Sequence, residues 1–127
     1  MANIVYVHAQ TKDAAIMRKL VRFYGEVKGA PPSGLQRIEP VLSQRQLEDL
    51  VAAQPEEFRA AAECTKGVGI WTEWASAEAI DLFYQGSLHK MFSAFAPSTL
   101  EQAQYRIIQL RDGNVSQTEI SKQSIGT

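Results

Sequence analysis

Runs of apolar residues predict two strands, one at the start of the chain and one in its middle. Residues 4–7 are apolar at every position, which favours a strand buried on both of its faces. Residues 68–74 form the second run, and side chains alternate along a strand, so Trp71 and Trp74 should point to opposite faces.

Apolar residues spaced three and four apart predict helices between and after these strands. The first helix begins near Asp13, and a capping box of Ser43 with Gln46 predicts a second. Pro55 suits the first position of a third helix. The longest predicted helix, residues 76–96, has an apolar face made of Ile80, Phe83, Tyr84, Leu88, Met91, Phe92 and Phe95.

The segment after Pro97 allows two interpretations. Ser98 and Glu101 form another capping box, which favours a helix that runs on to residue 110. The pair Asp112-Gly113 is also a turn signal, so residues 105–110 and 115–120 would form a hairpin instead. We favour the helix, because the capping box explains where it starts.

Together these elements predict a mainly helical α+β domain, in the order β-α-α-α-β-α-α around a small sheet. We expect one compact domain over residues 1–115 and a flexible tail over residues 116–127, which is rich in Ser, Gln and Thr. With 127 residues, of which 45% are hydrophobic, the chain is long enough to bury a core without a disulfide or metal. Cys64 is the only cysteine, so neither an intramolecular disulfide nor a cysteine metal cage is expected.

The first residues predict neither export nor membrane insertion. They include no basic segment followed by a long apolar stretch, and no run in the chain approaches the roughly 20 apolar residues that cross a bilayer. We therefore expect a cytoplasmic protein that does not contact a membrane.

Charge is spread unevenly along the chain. The net charge is −1 overall, but residues 1–45 have seven basic and three acidic side chains and residues 46–101 have three basic and nine acidic ones. Arg18 and Arg22 lie four apart on the first predicted helix with Lys19 beside them, so they share one side of it. This basic side predicts a partner protein with an acidic surface, or a second copy that offers its own acidic middle. The overall charge disfavours nucleic acid.

Residues with catalytic chemistry are few and isolated. His8 follows the first strand, where a pocket rimmed by Gln10 and Thr11 would let it act as a general base, but no orienting partner is evident. His89 has only Gln85 at metal-ligand spacing, and an amide is a poor ligand for most transition metals. Phosphate-binding, hydrolase and zinc motifs are absent from the sequence. We therefore predict no catalytic residue, no metal and no cofactor, and an enzyme is the less favoured class.

These patterns favour a non-enzymatic interaction protein that binds and blocks or sequesters a partner protein. Small intracellular inhibitors, immunity proteins and phage-encoded antagonists share this profile of one motif-free domain with uneven charge. The predicted binding residues are Arg18, Lys19, Arg22, Trp71 and Trp74. The alternative is a small enzyme or ligand-binding domain with a pocket near His8, and a weaker alternative is nucleic-acid binding through the first helix.

Overall fold

A computed structural model of the chain describes residues 2–10, 14–64, 67–83 and 104–120. The strands in these ranges are β1 (Asn3–Gln10), β2 (Leu35–Val41), β3 (Gly67–Trp74), β4 (Gln104–Arg111) and β5 (Asn114–Ile120). The helices are α1 (Ala14–Gly29), α2 (Gln44–Val51) and α3 (Glu56–Ala61). Residues 77–83 are also helical and are called α4 here.

All five strands belong to one antiparallel sheet in the order β2-β3-β1-β4-β5. The first predicted strand is the central strand, and its residues from Asn3 to Ala9 are buried along their whole length. The prediction that β1 is buried on both faces is therefore confirmed. The third strand, β3, matches the second predicted run and pairs with β1 from Asn3↔Trp74 to Gln10↔Gly67.

The prediction of a mainly helical domain around a small sheet is wrong. The structure is an α+β fold built on the five-stranded sheet, and β2, β4 and β5 are missing from the predicted order. β2 contains Pro40, a residue that the middle strands of a sheet do not accommodate, but β2 lies at the edge of the sheet. An edge strand tolerates proline because the missing N–H faces away from its neighbour.

The second difference is the hairpin of β4 and β5, which replaces the predicted helix from residue 104 onward. Asp112 and Gly113 both have positive φ, 50° and 87°, which is the signature of a two-residue type I′ turn. The backbone N–H of Asp112 also donates to Oδ1 of Asn3 (3.2 Å), so β1 holds the turn in place. Residues 116–120 belong to β5, and residues 121–127 lie outside the described ranges.

Side-chain caps fix the starts of two helices where the sequence predicted them. Ser43 Oγ accepts from the Gln46 N–H (3.2 Å), and Gln46 Oε1 accepts from the Leu42 N–H (2.9 Å). Ser76 Oγ accepts from the Ala79 N–H (3.1 Å) at the start of α4. The remainder of the helix predicted to reach residue 96, with Phe92 and Phe95, lies outside the described residues.

The sheet has apolar side chains on both faces. On one face Tyr6, Trp71 and Ile108 pack with Leu47 of α2 and Phe58 of α3 in a single buried cluster. On the other face Val7 is paired with Ile70 and Ile107 on the neighbouring strands, and all three are buried. The helix α1 contacts β2 and β3. Phe83 of α4 packs on Trp74, with ring centroids 5.1 Å apart. The core is therefore two layers, one on each side of β1.

Candidate functional site

The outward side of α1 presents two arginines and an exposed valine, and we call Arg18, Val21 and Arg22 the basic face. All three side chains are exposed, Val21 by 52%, and their three- and four-residue spacing places them on one side of the helix. The basic face is held in position because Val27, half a turn away around α1, is buried. Lys19 lies in α1 next to Arg18, but its side chain is outside the described part.

The arginines of the basic face differ from those on the sheet in their ionic partners. On the sheet, Arg37 forms ion pairs with Glu39 and Glu73. Arg106 pairs with Glu63, and Arg111 pairs with Asp81. Within the described part of the chain, Arg18 and Arg22 form no such ion pair. With no carboxylate partner among the described residues, their guanidinium groups can donate hydrogen bonds to water or to a partner protein.

Beyond Arg22 this side of α1 includes two glycines, next to the exposed Glu26. Gly25 and Gly29 continue the same side of α1, and a Cβ at either position would meet nothing within 4 Å. A partner can therefore approach the backbone of α1 closely beside the arginines. Lys28 is turned elsewhere, with Nζ 5.6 Å from the centroid of the Tyr24 ring.

Both predicted tryptophans are buried, on opposite faces of the sheet as the strand pattern predicts. Trp71 packs edge-on against Phe58, with centroids 5.7 Å apart, and its Nε1–H donates to Glu73 Oε2 (3.0 Å). The Trp74 Nε1–H donates to Thr72 Oγ1 (2.8 Å), which in turn donates to the Val5 carbonyl (2.8 Å). Their observed role is in the core, and the structure does not bring them to the basic face.

His8 is buried beside Tyr6. It is only 4% exposed, and its ring stacks on Tyr6 with centroids 6.3 Å apart. Among the residues that the structure describes, its Nε2 has no hydrogen-bond partner. Gln10 is exposed, and Thr11 lies outside the described ranges, as does His89. A general base must reach its substrate, and this buried ring does not offer that access.

Burial lowers the pKa of His8 from its ordinary value of 6.5; Glu63 opposes this shift, and Arg106 adds to it. The folded protein therefore keeps a neutral imidazole at pH values where the unfolded chain has already taken up a proton. Because the unfolded state then binds more protons, stability is greatest above the unfolded pKa and falls as the pH drops below it.

We expect the free energy of unfolding to fall between about pH 7.5 and pH 5, with His8 contributing at most about 1.4 kcal/mol per pH unit. The variant His8→Gln should show a shallower slope over this range. Urea denaturation at half-unit pH intervals measures both slopes. Parallel curves for the two proteins would show that His8 does not titrate differently on folding.

Cys64 is a buried core thiol next to the Tyr6 hydroxyl. Its Sγ donates weakly to the Val41 carbonyl (3.7 Å), and Tyr6 OH donates to the Glu63 carbonyl (3.5 Å). Burial raises the pKa of Cys64, and the contact with Tyr6 only partly offsets that rise. The group is therefore a protonated thiol near neutral pH, which is a poor nucleophile.

A polar cleft of about 380 Å³ opens between α2 and the β2–β3 pair. Arg37 lines the cleft, with Nε 3.3 Å from Glu39 Oε1 and Nη1 3.3 Å from Glu73 Oε2. Asp49 adds a third carboxylate, so the lining carries a net negative charge that favours cationic groups. Sequence reasoning missed this cleft because it depends on the register that sets Arg37 opposite Glu73.

The described ranges contain neither a metal-binding cluster nor a membrane-spanning helix. Among these residues, no group of three or more His, Cys, Asp or Glu side chains is arranged to hold a metal ion. No described helix has the length and apolar character needed to cross a membrane.

Comparison of the chain with protein-family models, curated proteins and solved structures finds no match.

Proposed function

We propose that this protein is a non-enzymatic interaction protein whose basic face binds an acidic surface on a partner protein. One observation carries the proposal: Arg18 and Arg22 lie exposed side by side on α1, without an ion pair among the described residues. The arginines of the sheet have carboxylate partners within the chain, whereas these two have none among the described residues and can bind carboxylates of a partner.

The chemistry of the basic face favours a protein partner. Arginine presents a planar set of donors that matches carboxylates, and it is less strongly hydrated than lysine. Val21 adds an exposed apolar side chain beside Arg18, and the centre of a protein interface is more apolar than its rim. Because α1 fixes their backbone positions, little ordering of the chain is needed on binding.

We also propose that the protein acts in the cytoplasm by covering its partner's surface, in the manner of an inhibitor, an immunity protein or a phage-encoded antagonist. A single domain with one charged face works most simply by occlusion, since it blocks whatever site lies beneath it. This part of the proposal rests on analogy with other small proteins of that kind.

Charge reversal of the basic face tests the proposal. We expect the double variant Arg18→Glu/Arg22→Glu to bind an acidic partner protein, isolated by affinity capture from the native host, at least about tenfold more slowly at low ionic strength. Adding Lys19→Glu should deepen the loss. The thermal midpoint should change little, because exposed charges contribute little to stability. Surface plasmon resonance at two salt concentrations measures the rates.

The matched control reverses two exposed arginines on other helices, Arg45→Glu and Arg59→Glu. This control variant has the same net charge as the test variant, so it separates a local effect from a change in overall charge. If both double variants slow association equally, the basic face is an ordinary solvated surface with no specific role in binding. Tight, salt-sensitive binding to nucleic acid that needs Arg18 and Arg22 would favour that partner class instead.

A further inference from the structure

The two edges of the sheet differ in how they are protected from pairing with another strand. β2 contains Pro40 and has a register shift between Leu35 and Arg37; both devices hinder further pairing at an edge. β5 runs from Asn114 to Ile120 without proline and pairs with β4 in unbroken register. Within the described ranges, its outer side has no strand beside it.

The turn geometry determines which backbone groups of β5 point outward. Asp112 and Gly113 form a two-residue turn, so the flanking pair Arg111↔Asn114 exchanges both of its hydrogen bonds. Hydrogen-bonded and non-hydrogen-bonded pairs then alternate along the hairpin. Val115, Gln117 and Glu119 fall in the non-hydrogen-bonded positions, so their N–H and C=O groups face the open edge.

We propose that β5 pairs with β5 of a second copy of this chain, antiparallel and about a two-fold axis at Gln117. In this register Gln117 lies opposite Gln117 of the other copy, and Val115 lies opposite Glu119. Each copy then donates all three outward N–H groups of β5 and accepts three in return. Two five-stranded sheets become one continuous sheet across the axis.

The backbone hydrogen-bond pattern and the charges of β5 favour a second copy of this chain as the strand that pairs with its open edge. An antiparallel edge is complementary to itself, so the same seven residues satisfy both sides of an isologous contact. The register at Gln117 keeps position 119 of one copy away from position 119 of the other, whereas a register centred on position 119 places two acidic residues directly opposite, which destabilises the pair. Exposed Ser116 and Thr118 meet across the axis as a compatible pair.

This association is independent of the proposed function. α1 contacts β2 and β3, which lie at the other side of the sheet from β5. A dimer through β5 therefore leaves both basic faces uncovered and presents two of them to partners. Paired binding sites of this kind raise the apparent affinity for a partner that is itself repeated.

Sedimentation equilibrium of the wild-type chain is the first test. An interface made by one edge strand is smaller than those of permanent dimers, so we expect a dimer that dissociates on dilution over about 10–500 μM. Gln117→Pro removes the outward N–H without touching the bonds to β4, and should weaken the dimer about tenfold. A purely monomeric wild type over this range would overturn the proposal.

Charge pairing at the axis provides a second test that does not depend on proline. Gln117→Lys and Gln117→Glu each place like charges opposite each other and should each weaken the homodimer about fivefold. An equimolar mixture of the two should form a heterodimer at least as tight as the wild-type dimer. Gln36→Lys, at an exposed glutamine of β2, is the matched control and should leave the dimer unchanged. Failure of the mixture to recover association would overturn the two-fold register at Gln117.

Discussion

Replacing Trp71 with alanine is expected to lower the free energy of unfolding by about 3–5 kcal/mol, as large aromatic deletions in a core do. Trp71 is 1% exposed and contacts both Tyr6 and Phe58, with ring centroids 6.2 Å and 5.7 Å away. Alanine leaves a cavity between the sheet and α3 that these rings cannot fill without leaving their own contacts. It also removes the indole donor to Glu73.

Urea denaturation followed by far-ultraviolet circular dichroism measures the loss. The control is Leu82→Ala, since Leu82 is a large apolar side chain that is 78% exposed on α4. Leucine and alanine have similar helix propensities, so this variant should change the free energy by less than about 0.5 kcal/mol. A loss below about 1 kcal/mol for Trp71→Ala would contradict the packing described for this face.

The sequence predicts a structural feature correctly where residues within one short segment are enough to determine it. The apolar residues of β1 predict burial on both faces because a central strand has no solvent side. Ser43 and Gln46 predict the start of α2 because a capping box needs only four consecutive residues. The opposite orientations of Trp71 and Trp74 follow from strand geometry alone.

Elements that depend on distant partners could not be predicted in the same way. Whether Pro40 is tolerated depends on β2 lying at the sheet edge, and only its pairing with β3 determines that. The turn signal at Asp112-Gly113 indicates the hairpin, but the capping box at Ser98 favours a helix in the same segment, and the helix is wrong from residue 104 onward. The strand next to β1 is stabilised by Ile107 and Ile108, which pair with Val7 and Tyr6 across the sheet. Such long-range pairs leave no local signature.

The candidate sites also differ in whether local or long-range contacts determine them. Arg18 and Arg22 were recognised as one side of a helix because their spacing is local. The cleft around Arg37 and the contact of Tyr6 with Cys64 were not, because each joins residues that only the fold brings together. The sequence makes His8 a candidate general base. Its burial argues against that role and could not be predicted locally, because it results from the packing of the whole sheet.

Replacing Gly69 with alanine is expected to lower the free energy of unfolding by about 1–3 kcal/mol, the range for overpacked cores. The phenol ring of Tyr6 lies directly over Gly69, and a Cβ there would lie 2.5 Å from the Tyr6 hydroxyl and 2.6 Å from Cε2. Tyr6 is fully buried, and its ring is held between Trp71 and His8. The ring therefore has no free direction in which to move away.

A double-mutant cycle tests whether this contact is the cause. In a Tyr6→Leu background the aromatic ring is absent, so Gly69→Ala should cost less free energy there than in the wild type. Gly25→Ala is the matched control: it lies inside α1 with nothing within 4 Å of the new Cβ, so it should stabilise the protein by about 0.5–1 kcal/mol. If Gly69→Ala costs the same in both backgrounds, the strain lies elsewhere in β3 and not in the Tyr6 ring. A smaller cost in the Tyr6→Leu background would identify the absence of a side chain at residue 69 as the condition that lets the Tyr6 ring pack against β3.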